Sequence, residues 1–141
     1  MRFFVCLFTA AVVASFGCGT TEPAGEVVLT MQNIAGTYNA TTFTTQSNGV
    51  VTSHLPLGGS IQLLLFGDGT TGGSLILPAD PVAGVDLNES LAGSWTLDGN
   101  IVNLSHSSHT FLEDMDLAFS ETHLTGETTR DSVTYRVVLA W

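Results

Sequence analysis

The chain has 141 residues, with thirteen acidic side chains against three arginines and no lysine, a formal net charge of −10. Such a balance repels phosphate backbones and anionic lipid surfaces, so nucleic acid and a charged membrane face are not expected partners; a phosphate-cradling loop that ends in lysine is excluded outright. Cys6 and Cys18 are the only cysteines, too few for a thiolate metal cluster, and no cofactor is expected.

In chain order, Met1-Arg2 opens on a positive charge and Phe3 to Phe16 is apolar apart from Thr9 and Ser15. A spanning helix needs roughly 20 apolar residues, so this stretch has the length of a signal-peptide core instead. Ser15-Phe16-Gly17-Cys18 follows. Residues 1–18 therefore resemble a bacterial lipoprotein signal, and the resemblance implies a lipid on Cys18, with ordinary cleavage near Ala14 as the alternative. Gly19 to Glu26 is polar and rich in Gly, Thr and Pro, so residues 19–33 read as a flexible tether. Gly19 does not resemble the Asp that retains enteric lipoproteins at the inner membrane. The expected address is the outer membrane of a bacterial envelope, reached through the lipid alone; a secreted or periplasmic soluble protein is the alternative.

Once the leader is removed, roughly 115 residues remain to fold, enough for one domain with its own core over 34–141. Thr is abundant and turn signals recur every 8 to 12 residues or so, the spacing of an all-β domain. The expected strands are Gly36 to Thr45, Ser60 to Phe66, Gly73 to Leu77, Leu91 to Leu97, Asn100 to Ser105, Phe111 to Ser120, Thr122 to Thr128 and Ser132 to Ala140. Gln46 to Gly59 and Pro78 to Ser90 read as long loops, the second with room for one helical turn after Pro81. Asp98-Gly99 predicts a tight hairpin that sets Trp95 against Val102 and Gly93 against Leu104. A turn over Ser120 to His123 sets Phe119 against Leu124, and one over Thr129 to Ser132 sets Gly126 against Tyr135 and Leu124 against Val137. All three hairpins agree on one buried face: Trp95, Val102, Leu104, Met115, Leu117, Phe119, Leu124, Val133, Tyr135, Val137 and Leu139. Thr96, Asp114, Asp116, Glu127 and Arg136 fall on the other. Eight such strands suit an antiparallel up-and-down barrel, which abolishes exposed edges; a two-sheet β-sandwich is the competing architecture.

Gly36-Thr37-Tyr38 is similar to the Gly-x-Trp opening of lipocalins, with Tyr for Trp. Gly93 to Asn100 and Leu65 to Thr70 resemble segments of small bacterial lipocalin-like lipoproteins, in the same order and spacing over residues 34–141. The resemblance implies an eight-stranded barrel that takes a small apolar or amphipathic ligand, and it implies no catalytic residues. The residues expected to line such a cavity are Tyr38, Trp95, Leu104, Met115, Phe119 and Tyr135, with Ala40, Gly93 and Gly126 leaving room. A core filled by these same side chains, serving a structural or interaction role, is the alternative.

Other chemistry has thinner support. His106-Ser107-Ser108-His109, with His123 and Glu113-Asp114, has the residue types of a zinc site. A polar turn explains it better, since nothing fixes His123 nearby. Asp114 and Asp116 lack the ligand-rich loop calcium demands and read as a solvated face. His54 lies in a loop without an evident nucleophile, and no Gly-x-Ser-x-Gly elbow exists, so the chain is not read as an enzyme.

Overall fold

A computed structural model describes residues 27–141. The signal reading, Cys18 and residues 19–26 of the tether lie outside them. The last part of the expected tether is structured: Met31–Ile34 form one helical turn, α1, started by Thr30, and Ile34 is buried. Ten strands follow: β1 (Gly36–Ser47), β2 (Val50–Ser53), β3 (Ser60–Leu65), β4 (Thr70–Leu77), β5 (Leu87–Ser90), β6 (Gly93–Asp98), β7 (Ile101–His106), β8 (Leu117–Ser120), β9 (His123–Arg130) and β10 (Val133–Ala140). Short 3-10 turns form at Leu55–Leu57 and Phe111–Asp114.

Eight of these strands close a ring in the order β1-β3-β4-β6-β7-β8-β9-β10, and β10 returns to pair with β1 from Asn39↔Ala140 to Gln46↔Thr134. That closure is the barrel, and it removes the sandwich from consideration. The two additional strands are continuations rather than insertions. β2 pairs with Thr44–Ser47 of β1 and β3 with Gly36–Asn39, so both run along one side of β1 with the Leu55–Leu57 turn bulging between them. β5 and β6 hold a single register on β4, from Leu77↔Leu87 to Thr70↔Ser94.

The expected loops therefore contain strand. At β1–β2 the hairpin is made by Asn48-Gly49, both at positive φ (50° and 79°), the conformation of a type I′ turn that follows the strand twist. The expected strand 111–120 starts only at Leu117. Its first part is 3-10 because Thr110 caps it, its hydroxyl accepting from the Leu112 amide at 3.3 Å. After Pro81 the chain closes a single turn, Gly84 N–H donating to the Asp80 carbonyl at 2.7 Å.

The hairpin registers correct two of the three expectations. The turn at Ser120–His123 sets Phe119 opposite Leu124 as expected. At β6–β7 the loop is Gly99-Asn100, so Trp95 lies opposite Leu104 rather than Val102. At β9–β10 it is Asp131-Ser132, both at positive φ (46° and 67°), so Gly126 lies opposite Val137 and Thr128 opposite Tyr135. Each correction moves a partner by two positions, which preserves the face; a slip of one would have inverted it. All eleven residues assigned to the buried face are buried, within one cluster that also takes in Tyr38, Phe43, Leu63, Leu75 and Phe111. Each large apolar side chain so placed is favourable by about 1.5–3 kcal/mol over leaving it in water.

The up-and-down course gives the barrel two ends. The proximal end gathers α1, the Gly67–Gly69 and Gly99-Asn100 turns, and Trp141. The distal end gathers Asn48-Gly49, the 78–86 and 107–116 segments, and Asp131-Ser132.

Candidate functional site

The six residues expected to line a cavity all point into the barrel, each 7 % exposed or less. They do not converge on one site. Tyr38 lies at the proximal end, where its hydroxyl donates to the Ile34 carbonyl at 2.7 Å and burial pushes its pKa up to about 12. Trp95 donates from Nε1 to the Phe66 carbonyl at 2.8 Å, fastening the β3–β4 turn beneath α1. Trp141 lies across Tyr38, ring centroids 5.9 Å apart, and its indole takes the space where a Cβ on Gly36 would sit. Tyr135 belongs to the distal end.

Gly126 was expected to leave room, but its neighbours fill it. A Cβ there would fall 2.7 Å from Leu117 Cδ2 and 3.2 Å from Met115 Sδ. Ala40 packs against the core cluster, and a Cβ on Gly93 would meet the Ser105 carbonyl. The apolar groove of about 490 Å³ along Val27, Val28, Leu29, Leu97 and Gly99 lies at the proximal end, where the chain enters the barrel.

The distal mouth holds the densest set of polar and aromatic contacts. Phe111 stacks on Tyr135, centroids 4.4 Å apart and planes 14° from parallel, and Phe43 lies 5.8 Å from Phe111. The Tyr135 hydroxyl donates to Asp80 Oδ1 at 2.6 Å, tying the 78–86 loop to β10. Burial, reinforced by the Asp80 carboxylate, raises the Tyr135 pKa. His54 is buried against Phe43, with Nε2 2.8 Å from the Thr45 hydroxyl and Nδ1 without a partner. Burial lowers its pKa, and the Asp80 carboxylate pulls the other way without prevailing. His54, Asp80 and Phe111 were not singled out for this end from the sequence, where His54 read as a loop residue. The Asn48-Gly49 hairpin was the available signal that folds His54 back onto β1.

The 107–116 segment is held by its own network. His106 is buried, with Nε2 2.7 Å from the Thr110 hydroxyl, and its amide donates to Glu113 Oε1 at 2.7 Å. Burial lowers the His106 pKa against the opposing pull of Glu113. For Glu113 burial acts upward, but the hydrogen bonds from the His106 amide and the His109 ring outweigh it and leave its pKa low. Arg130 donates to Asp114 at 2.6 Å. His123 lies at the other end of the barrel, on the β8–β9 turn, so the three histidines of the zinc reading are not brought together. Among the described residues no three His, Cys, Asp or Glu side chains gather as a metal site, and no helix is long and apolar enough to cross a membrane.

The fold and its interior thus define a closed antiparallel β-barrel of eight strands with two short accessory strands. No known protein family, curated protein or solved structure matches the chain.

Proposed function

We propose that this chain is an exported, lipid-tethered barrel that works as an interaction module, with a solid interior and a surface given over to partners. The stack of Phe111 on Tyr135 in the distal mouth carries this reading. A guest molecule would have to displace that stack and the Tyr135–Asp80 hydrogen bond, each of which already has its partner. The occupied space beside Gly126 supports it further. The leader and the polar Gly19–Glu26 stretch support export and tethering through Cys18.

A second reading keeps the apolar ligand and makes the 107–116 segment a lid. Its support is the seam beneath that segment: β7 and β8 share only Ile101↔Ala118 and Val102↔Leu117, so lifting the segment would not unzip a long ladder. One titration separates the two. Under the interaction reading, neither ANS nor a fatty acid gives a saturable change in dye or tryptophan fluorescence with the wild type, whereas Phe111→Ala opens a void that takes benzene. Saturable binding by the wild type would overturn the interaction reading in favour of the lid. The mass of the mature N-terminus tests the tether: a chain starting elsewhere than a lipid-modified Cys18 would remove it.

A further inference from the structure

We propose that the open edge of β2 pairs antiparallel with the same edge of a second copy of this chain, joining two barrels across their uncharged walls. Among the described residues β2 pairs with β1 alone. In a two-residue hairpin the residues flanking the turn, Ser47 and Val50, exchange hydrogen bonds with each other. The alternate residues Val51 and Ser53 therefore turn their N–H and C=O groups to the open side. Val50 and Val51 are 66 % and 62 % exposed. A free edge with apolar side chains is a template for another strand, and proteins ordinarily blunt one with lysine, proline or an inward charge. Val50–Ser53 has none of these. β5, the other accessory strand, is guarded: Glu89 sits on it, Asp86 precedes it, and Pro78 and Pro81 stand in its loop.

Charge selects the occupant. From Val27 to Ala79 the only charged residue is Asp68, in a turn at the proximal end; ten carboxylates and two arginines lie in residues 80–141. Strands β1 to β4 thus form a neutral wall on a strongly acidic molecule. Two copies repel wherever their acidic walls meet, and β2, which carries no carboxylate of its own, is where that repulsion is smallest. A basic partner would be drawn to the β5–β10 wall instead. Pairing β2 with β2 about a two-fold axis is self-complementary and closes at two copies. An edge of four residues buries less than about 1,200 Å² in total, so the dimer is of the transient class.

The proposal deepens the interaction reading, and the two fail separately: dye binding by the wild type removes that reading but leaves the oligomeric state to be measured. The test is sedimentation equilibrium on the chain from position 18 onward, carrying Cys18→Ser so that no acyl chain drives association, from about 10 μM to about 1 mM, the range transient contacts require. The expected result is a monomer–dimer equilibrium that tightens several-fold as salt screens the net charge. Val51→Lys weakens the dimer at least tenfold while leaving circular dichroism and the thermal midpoint unchanged, because the side chain is in solvent. Val51→Pro removes only the outward N–H and acts the same way; should it unfold, Val51→Lys decides. A monomer at every concentration overturns the proposal and leaves the edge to a strand of another protein. So does a dimer indifferent to both variants, or one that salt dissociates, which would place the contact at Arg130 or Arg136.

Discussion

At the proximal end Tyr38, Trp95 and Gln32 all donate to backbone carbonyls, those of Ile34, Phe66 and Gly67, and none of the three titrates in the physiological range. At the distal end the corresponding contacts run between side chains, Tyr135 to Asp80, His54 to Thr45 and His106 to Thr110, and two of those side chains are imidazoles that change charge with pH. One end is closed by the chain's own skeleton and the other by groups that respond to solution conditions. The difference places the buried histidines, and with them the response to pH near neutrality, at the distal mouth, and it can be broken or sharpened by experiment.

The largest effect falls on the proximal side. Trp95→Ala deletes a core indole and the bond that fastens the β3–β4 turn, and lowers stability by about 3–5 kcal/mol in urea unfolding. That loss is the same at pH 5 and pH 8; a strongly pH-dependent loss would contradict the contrast between the ends. Phe111→Ala follows at about 3 kcal/mol. Tyr135→Phe takes the shorter of two donors from Asp80 Oδ1, leaving the Val82 amide at 3.2 Å, and costs about 1 kcal/mol; hydrogen exchange should quicken first in the 78–86 loop.

Acid comes next. Burial holds His54 and His106 below the ordinary imidazole range in the folded protein, whereas both rings take up protons near pH 6.5, or about that value, once the chain unfolds. Stability is therefore complete above that pH and declines as pH falls through it, levelling off only when the folded rings themselves charge. His54→Leu flattens the decline, and a slope unchanged by it would shift the sensitivity to His106. Smallest is Asp114→Asn, which removes an exposed partner of Arg130 and changes stability by less than about 1 kcal/mol.

The barrel was legible because its wall alternates. Trp95, Val102, Leu104, Leu117, Phe119, Leu124, Tyr135 and Val137 recur at every second position on several hairpins, and closure follows from giving each strand two neighbours. β2 and β5 were missed for the opposite reason: neither has a buried residue, so no alternation marks them. Phe111–Asp114 was drawn as strand because Phe111, Met115, Leu117 and Phe119 mimic a period of two, although Thr110 and the acids behind it are the start signal of a helical turn. Two register errors arose from placing the turn: Asp98-Gly99 instead of Gly99-Asn100, and four residues over Thr129 to Ser132 instead of the two at Asp131-Ser132, a decision set by local φ rather than by hydrophobicity. The distal mouth was least legible. Asp80 and Tyr135 are 55 residues apart, and nothing local to either marks the other.

The pairing of Ala40 with Leu139 sets a condition on how this protein is made. The earliest strand waits, with one flank open, for the latest, so nothing short of the whole wall is a stable piece. While β10 is still being synthesised, β1 exposes a long unpaired ladder, and the chain must stay apart from its neighbours until the seam shuts. Folding should therefore be slow and dominated by distant contacts. A polypeptide that cannot set early is also one that can be threaded through a narrow channel before it takes shape.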